Sequence, residues 1–162
     1  MPDKWDKRSR GIKTNVQPSV GGGKRVPRTT VVPIPNDGSN RPVVSFQYAD
    51  RSYDGEWSWP SGEDAATLLH FLCELGQWTW GEIASQRYGG QTRHRKHHEL
   101  DFSVVCGEAQ TRLSDLGHDQ IFTEYFRFRL SGEKRLWGFR VGDVFYVLWW
   151  DANHMVYPID LS

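Results

Sequence analysis

Residues 122–150 read FTEYFRFRLSGEKRLWGFRVGDVFYVLWW, and this stretch decides the fold. Large apolar side chains alternate with polar ones over 122–130, which is the pattern of a strand with two different faces. A polar turn at 131–134 and the pair Gly142-Asp143 divide the stretch into three segments, and short turns of this kind join antiparallel neighbours. The third segment, 144–150, is almost wholly apolar, as expected of a central strand buried on both faces. The sequence therefore predicts an antiparallel meander of three strands.

Helices are predicted upstream of this meander. An apolar stripe at helical spacing predicts a helix over 62–75 that begins after Ser61. The capping box Thr79-Trp-Gly-Glu82 opens a short second helix, and apolar residues at helical spacing over 109–116 indicate a third. Further extended segments are predicted at 43–48, 100–105 and 155–157. We therefore predict an α+β fold, in which an N-terminal strand and two to three helices pack on one face of a C-terminal antiparallel β-meander.

Charge is distributed unevenly along the chain, although the formal net charge is zero. Nine basic and three acidic residues give residues 1–42 a net charge of +6, which leaves −6 on the remainder. The first 42 residues also contain Gly21-Gly22-Gly23, several prolines and few large apolar side chains, so burial cannot offset the entropy of ordering them. The sequence predicts a disordered basic tail over 1–42 and a single α+β domain over 43–162.

The composition argues against several classes of protein. No apolar run approaches the roughly 20 residues that a membrane-spanning helix needs, and the first residues lack the apolar segment of a secretory signal. The two cysteines, Cys73 and Cys106, do not form a CxxC pair. From these features we expect a cytoplasmic protein without a membrane partner, without a bound metal and without a cofactor.

Two likenesses to known groups are carried mainly by the carboxy-terminal half. The segments FRLSGEKRLWGFR at 128–140 and VFYVLWWDANHMVYP at 144–158 resemble a widespread family of small bacterial open reading frames. WTWGEI at 78–83 and EAQTRL at 108–113 are similar to other blocks of that family, and Ala152 departs from it where proline is expected. More distantly, the order of elements resembles that of RelE/HigB-type toxins of toxin–antitoxin systems, a likeness of topology over the last strands.

The likeness to RelE/HigB-type toxins implies a metal-independent endoribonuclease that acts on RNA, usually on the ribosome, with an antitoxin protein as a partner. Such a reaction needs a base for the ribose 2′-hydroxyl, cations for the phosphate and an acid for the leaving 5′-oxygen. Arginines are suited to hold the phosphate, and histidine is suited to move the proton. The matching positions, expected to converge at the ends of the meander, are Arg135, Arg140, His154 and Tyr157 as catalytic residues, with Arg129 and Lys134 as contacts to RNA.

A second basic segment lies in the polar stretch 91–98. Three of its residues, His94, His97 and His98, also admit a metal site, but neither an HExxH motif nor spaced cysteines accompany them. A solvated polar loop explains the same residues, because acidic residues follow it directly. In the RNA-binding interpretation, the residues expected to contact RNA phosphate are Arg93, Arg95, Lys96, His97 and His98.

A structural interpretation competes with the catalytic one. The solvent-exposed face of an antiparallel sheet commonly carries arginines paired with carboxylates, and this interpretation covers Arg127, Arg129, Arg135 and Arg140. The many tryptophans offer surfaces on which bases stack or a partner protein packs. The alternative function is therefore a non-catalytic protein-interaction module of a mobile element, which binds its partner through exposed tryptophans and the basic tail.

Overall fold

The computed structural model of the chain describes residues 38–158, so the predicted disorder of residues 1–37 lies outside the described part. The helices are α1 (Gly62–Leu75), α2 (Trp80–Ser85) and α3 (Gly107–Asp115). The strands are β1 (Val43–Ser45), β2 (Arg87–Tyr88), β3 (His94–Arg95), β4 (His98–Asp101), β5 (Glu124–Arg129), β6 (Arg135–Val141) and β7 (Val144–Asp151). Two short 3-10 turns lie at Phe102–Val104 and His118–Gln120. No helix within residues 38–158 has the length and apolar character needed to cross a membrane.

Five strands form one sheet in the order β1-β7-β6-β5-β4. β5, β6 and β7 pair as antiparallel neighbours, with Phe128 opposite Leu136 and Leu136 opposite Trp150, so the predicted meander is confirmed. β4 pairs antiparallel with β5, while β1 lies parallel to β7 with Val43 opposite Val144. β2 and β3 form a separate antiparallel hairpin. The fold is mixed α+β with a mostly antiparallel sheet, as the sequence predicts.

Helices cover both faces of this sheet, so the prediction that they cover one face is wrong. α1 and α2 pack on the first face, which we call the α1 face, and α3 packs on the second, the α3 face. The physical reason is that β5, β6 and β7 carry large apolar side chains on both sides, and each side must be buried. Among the buried residues on the α1 face are Phe71, Trp80, Phe128 and Trp150, and among those on the α3 face are Leu113, Tyr125, Trp137 and Trp149.

Three of the predicted extended segments are shorter than expected or absent. β1 ends at Ser45, and β4 ends at Asp101, whose carboxylate accepts a hydrogen bond from the Ser103 amide at 2.8 Å and starts a 3-10 turn. Residues 155–157 form no strand, because the Asp151 carboxylate accepts the amide of Val156 at 3.0 Å and turns the chain. In both places a short acidic side chain ends the extended conformation by bonding to nearby backbone.

A β-bulge between β6 and β7 sets the register at the end of the sheet. Trp137 pairs with Trp149 and Gly138 pairs with Val147, so Leu148 is the extra residue and shares the α3 face with Trp149. A Cβ on Gly138 would lie 2.0 Å from the carbonyl oxygen of Tyr146, so a larger residue is excluded there. The bulge keeps Arg135, the first residue of β6, opposite Asp151, the last residue of β7.

The start of α2 is fixed by the predicted capping box. The Glu82 amide donates to the Thr79 hydroxyl at 3.2 Å, and the Thr79 amide donates to the Glu82 carboxylate at 2.7 Å. The next two amides bond to the segment before β1: the Trp80 amide reaches the carbonyl of Asn40 at 2.9 Å and the Gly81 amide reaches that of Gly38 at 2.8 Å. Gly38 and Asn40, which lie in the predicted tail over 1–42, therefore already contact the domain.

A buried ion pair connects α3 to the sheet. Asp50, only 4% exposed, accepts hydrogen bonds from both Nε and Nη2 of Arg112 at 2.8 Å and from the Trp149 indole at 3.1 Å. Burial alone would raise the pKa of this carboxyl group, but the hydrogen bonds from Arg112 and Trp149 outweigh it and lower the pKa to about 2. The ionised carboxylate is thus favoured in the folded state.

We expect this ion pair to make the fold sensitive to acid. The folded pKa lies below the ordinary value of 3.8, so the stabilisation is complete above about pH 4 and is lost as the pH falls towards 2. The shift corresponds to about 2 kcal/mol in the free energy of unfolding. Urea unfolding of the wild type and of Asp50→Asn measures it: their difference in stability should shrink by that amount between pH 5 and pH 2. A difference that does not change with pH would contradict the assignment.

Candidate functional site

Arg135, His154 and Tyr157, three of the predicted catalytic residues, lie at one end of the sheet on the α3 face. Arg135 stands opposite Arg129 of β5 on one side and opposite Asp151 of β7 on the other. The turn that carries His154 and Tyr157 follows Asp151 directly, and the rings of these two residues have centroids 6.3 Å apart. The meander therefore brings guanidinium, imidazole and phenol groups to the same place.

Arg127 of β5 lies in the same region and is buried, with 6% of its surface exposed. Its guanidinium stands 5.7 Å from the centre of the Trp137 ring. Its Nε is buried without a hydrogen-bond partner, and no residue within 38–158 forms an ion pair with it. Buried charges in proteins are nearly always paired, because an unpaired one loses its hydration without compensation. Arg127 is therefore a strong indication of a binding site.

Arg129 completes a group of three arginines, which we call the arginine cluster (Arg127, Arg129 and Arg135). The guanidinium of Arg129 lies 3.9 Å from the centre of the Tyr88 ring, which belongs to the β2–β3 hairpin. Arg135 is 4% exposed, and one of its terminal nitrogens donates to the carbonyl oxygens of Gly132 and Lys134 at 2.8 and 2.9 Å. Its Nε, like that of Arg127, is buried and has no hydrogen-bond partner among residues 38–158. Arg127 and Arg135 are buried, so they do not belong to a solvent-exposed face of arginines paired with carboxylates.

The arginine cluster carries an excess of positive charge. Burial and then the charges of Arg127 and Arg129 lower the pKa of Arg135 to about 10, and burial also lowers the pKa of Arg127. At neutral pH both still hold their protons. Among the described groups with the largest electrostatic effect on these two arginines, Asp151 is the only carboxylate. The arrangement suits an anion with several oxygens, such as a phosphate.

Asp151 does not neutralise the cluster fully, because its oxygens hold the following turn. Oδ1 accepts the Met155 amide at 2.8 Å, while Oδ2 accepts the Val156 amide at 3.0 Å and the Trp137 indole at 3.3 Å. The carboxylate is fully buried. Asp151 therefore acts as the structural centre of the site, and its interactions position the loop that carries His154.

His154 occupies the left-handed region of backbone conformation, with φ at +61°. This conformation is uncommon for a residue with a side chain and is typical of constrained turns at functional sites. Burial, followed by the positive charges of Arg135 and Arg127, lowers the pKa of His154 below its ordinary value of 6.5. The imidazole is therefore neutral at pH 7 and can accept a proton from a bound ligand.

Arg140 and Lys134 do not join the cluster, so the expected convergence of all four catalytic residues is wrong for Arg140. Arg140 lies near the other end of β6, with its guanidinium 3.9 Å from the centre of the Trp80 ring on the α1 face. Arg140 lies five positions after Arg135, and an odd offset along a strand puts two side chains on opposite faces. Lys134 forms an ion pair with Asp64 of α1. Neither residue can share a ligand atom with Arg135 in this arrangement.

The predicted basic loop is a short hairpin followed by an edge strand. Arg93 and Arg95 are exposed, whereas Lys96 is half-buried and donates its backbone amide to the carbonyl of Gln86 at 3.0 Å. His98 lies on β4 directly opposite Arg127, and burial and then the charge of Arg127 lower its pKa. Of this segment, His98 is the residue that stands beside the arginine cluster.

His97 has a structural role that argues against its predicted contact with RNA. It is 5% exposed; its Nε2 lies 3.1 Å from the Gln86 side-chain oxygen, and its Nδ1 accepts the Arg129 amide at 3.2 Å. Burial lowers its pKa to about 3, so the ring stays neutral. Both ring nitrogens are engaged, so neither is free to bind RNA or a metal. Within residues 38–158 no group of three or more His, Cys, Asp or Glu side chains is placed to hold a metal ion.

The sequence did not identify Arg127 or Tyr88 as site residues. Arg127 and Arg129 alternate with Phe126 and Phe128, which places both arginines on one face of the strand. Their polar character favours a solvent-exposed face, which is the structural interpretation of these arginines. The signal that points elsewhere is Tyr125, a large ring on the same face two residues before Arg127, which indicates that this face is also covered.

Comparison with known proteins does not assign this site. No family model, no curated protein and no solved structure matches the chain. The resemblance to the bacterial open-reading-frame family and to RelE/HigB-type toxins therefore stays a prediction from sequence. The function has to be inferred from the arginine cluster, His154 and Tyr157.

Proposed function

We propose that the chain is a toxin-type endoribonuclease of the RelE/HigB kind, which holds an RNA phosphate at the arginine cluster and cleaves the strand without a metal. The observation that supports this proposal most directly is Arg127, a buried arginine that has no ion-pair partner and no hydrogen bond to its Nε within residues 38–158. Together with Arg129 and Arg135 it offers several N–H donors to one anion. A phosphodiester supplies the oxygens and the negative charge that these donors lack.

The proposed chemistry uses the neutral imidazole of His154 as the base. His154 removes the proton from a ribose 2′-hydroxyl, and the 2′-oxygen then bonds to the adjacent phosphorus. The bond from phosphorus to the 5′-oxygen breaks, and the 5′-oxygen takes a proton from the Tyr157 hydroxyl. The products are a 2′,3′-cyclic phosphate and a free 5′-hydroxyl. Arg127 and Arg135 stabilise the negative charge that builds up on the phosphate oxygens during this step.

The partners follow from the same proposal. RNA is the substrate, with messenger RNA on the ribosome as the expected physiological form. An antitoxin protein that blocks the enzyme would have to compete with RNA for the arginine cluster, and an acidic segment is chemically suited to do so. Tyr88, already in contact with Arg129, offers a ring on which a base can stack.

The test is cleavage of a labelled single-stranded RNA by the purified protein in the presence of a chelator. We expect His154→Ala to lower the rate by about 10²–10⁴-fold, the usual contribution of a general base. Arg135→Ala should lower both binding and rate, whereas Arg51→Ala, an exposed arginine of the loop after β1, should change neither. Equal cleavage by all four proteins would exclude the assignment of His154 and Arg135.

The pH dependence gives an independent check on His154. The base must be neutral to act, and its folded pKa lies below 6.5, so the rate should be constant above about pH 7 and fall as the medium is acidified through that pKa. RNA that binds at the arginine cluster but is not cut at any pH would favour the alternative, a non-catalytic interaction module.

A further inference from the structure

The arginine cluster is almost closed to solvent, although the proposed function requires a phosphate to reach it. Arg135 is 4% exposed and Arg127 is 6% exposed. A phosphodiester with a sugar on each side is too wide to reach these guanidinium groups through so small an opening, so part of the cover must move first. Two segments border the cluster: the turn after β7, with His154 and Tyr157, and the β2–β3 hairpin, with Tyr88.

The turn after β7 is held from inside the fold. The fully buried carboxylate of Asp151 accepts the amides of Met155 and Val156 at 2.8 and 3.0 Å. The Val156 side chain is fully buried in the core of the α3 face, and its carbonyl accepts the amide of Cys106 at 2.9 Å. Moving this turn would break buried hydrogen bonds and expose apolar surface, so it stays in place when a ligand enters.

The β2–β3 hairpin, in contrast, is anchored at its base and little buried beyond it. At the base, the Lys96 amide donates to the Gln86 carbonyl at 3.0 Å, and the Gln86 side-chain oxygen lies 3.1 Å from Nε2 of His97. Of residues 87–95, all except Tyr88 are exposed, and none belongs to the apolar core of either face. A segment with so little buried surface can swing out while the rest of the fold stays intact.

Tyr88 provides the contact that closes the hairpin over the cluster. The guanidinium of Arg129 lies 3.9 Å from the centre of the Tyr88 ring. Burial lowers the pKa of Arg127, and the Tyr88 phenol has the largest of the effects that oppose this shift, which places its oxygen close to that guanidinium. The ring therefore covers the groups that a phosphate has to reach. A single cation–π contact is weak enough to break and form again.

The charge of the hairpin connects its position to the presence of an anion. Residues 86–96 contain four basic side chains and no acidic one, so the hairpin and the arginine cluster repel each other. A bound RNA strand reverses this repulsion, because its phosphates then lie between two positive surfaces. Arg93 and Arg95 are exposed on the hairpin, where they can contact the phosphates next to the one that the cluster holds.

We infer that the β2–β3 hairpin is a gate over the arginine cluster, which opens when Tyr88 leaves Arg129, admits an RNA phosphate and closes on the bound strand. The inference rests on the proposed function for the identity of the ligand and adds the route by which the ligand enters. Entry is then limited by the opening of the hairpin and not by diffusion of the anion.

The first experiment measures how fast phenylglyoxal, a reagent for accessible guanidinium groups, modifies each arginine of the full chain, with mass spectrometry to locate the product. In the wild type, Arg127 should react much more slowly than the exposed Arg51. Tyr88→Ala should raise the rate at Arg127 about tenfold, which is the effect of losing one cation–π contact. The matched control Tyr88→Phe keeps the ring and should leave that rate unchanged. Arg112, held in its ion pair, should stay slow in both variants and thereby show that they are folded.

The second experiment includes the wild-type chain, so it does not depend on how a variant folds. Inorganic phosphate, which has no base to stack on Tyr88, is mixed in excess with the protein. Binding is followed by tryptophan fluorescence, because the Arg127 guanidinium lies 5.7 Å from the centre of the Trp137 ring. The observed rate should level off at high phosphate concentration, and the limiting rate should be about tenfold higher in Tyr88→Ala and unchanged in Tyr88→Phe.

The outcomes separate the gate from the proposed function. A wild-type rate that rises linearly with phosphate concentration, or an unchanged modification of Arg127 in Tyr88→Ala, would overturn the gate even if RNA is cut. A chain that opens as expected and binds phosphate but neither binds nor cuts RNA would overturn the proposed function and leave a gate for a smaller anion. If phosphate does not bind either, the proposed function fails, and the modification of Arg127 alone decides whether the hairpin opens.

Discussion

Replacing Arg127 with methionine is expected to stabilise the protein and, at the same time, to abolish its binding to RNA. Arg127 is buried beside two other arginines, and its Nε has no hydrogen-bond partner in the described part of the chain. The folded state therefore bears a cost of desolvation and charge repulsion that methionine, of similar length, avoids. We expect a gain of about 2 kcal/mol in the free energy of unfolding, reduced slightly by loss of the contact with the Trp137 ring. Urea unfolding and RNA titration on the same preparation measure the two effects.

The opposite signs of these two effects distinguish a binding residue from a structural one. Arg51→Met, which changes an exposed arginine, should alter neither stability nor RNA binding. Inorganic phosphate should raise the melting temperature of the wild type and not that of Arg127→Met, because only the wild type gains stability from binding the anion. A variant that is less stable than the wild type would show that Arg127 contributes to packing, and the argument from its missing partner would then fail.

Replacing Asp151 with alanine should have the largest cost to stability of the substitutions considered. Its carboxylate is fully buried and accepts three hydrogen bonds, from two backbone amides of the next turn and from the Trp137 indole. Alanine leaves these donors without partners and removes the negative charge that faces Arg135. We expect a loss of about 3–5 kcal/mol, measured by urea unfolding.

The pKa of His154 shows whether Asp151 acts on the site itself as well as on the stability of the whole fold. Asp151→Asn keeps one side-chain oxygen and should cost less than alanine, but it removes a charge that raises the pKa of His154. The pKa of His154, followed by NMR titration, should therefore fall further in that variant. Glu133→Ala changes an exposed carboxylate in the turn before β6 and should leave both stability and that pKa unchanged. A loss below about 1 kcal/mol in Asp151→Ala would contradict the central role of this residue.

The meander and the second helix could be predicted from sequence because local patterns decide them. The alternation of Phe126, Arg127 and Phe128 requires an extended strand, and the Thr79–Glu82 box marks a helix start whatever surrounds it. Side chains along a strand alternate between its two faces, so the five-position offset between Arg135 and Arg140 already predicts that they point to opposite faces. Their convergence would require both side chains to lie on the same face of the sheet.

Tyr125 indicates that the α3 face is covered, but the sequence does not predict which segments cover it at the arginine cluster. A polar residue on an alternating strand usually faces water, and the sequence alone gives no contact between this face and the turn after Asp151 or the β2–β3 hairpin. The register also depends on the bulge at Leu148, since without it the residues that follow would face the other side of the sheet. Tertiary packing, rather than local preference, therefore creates the site.

The parallel edge pairing of β1 with β7 has a consequence for the timing of synthesis. Val44 leaves the ribosome long before its partner Phe145, so the first strand stays without a neighbour until nearly the whole domain has been translated. Asp151 and His154 follow at the end of that same last strand. The pairing of β1 with β7 and the formation of the turn around His154 therefore occur together, late in synthesis. A nascent chain halted before residue 144 has formed neither the β1–β7 pair nor this turn.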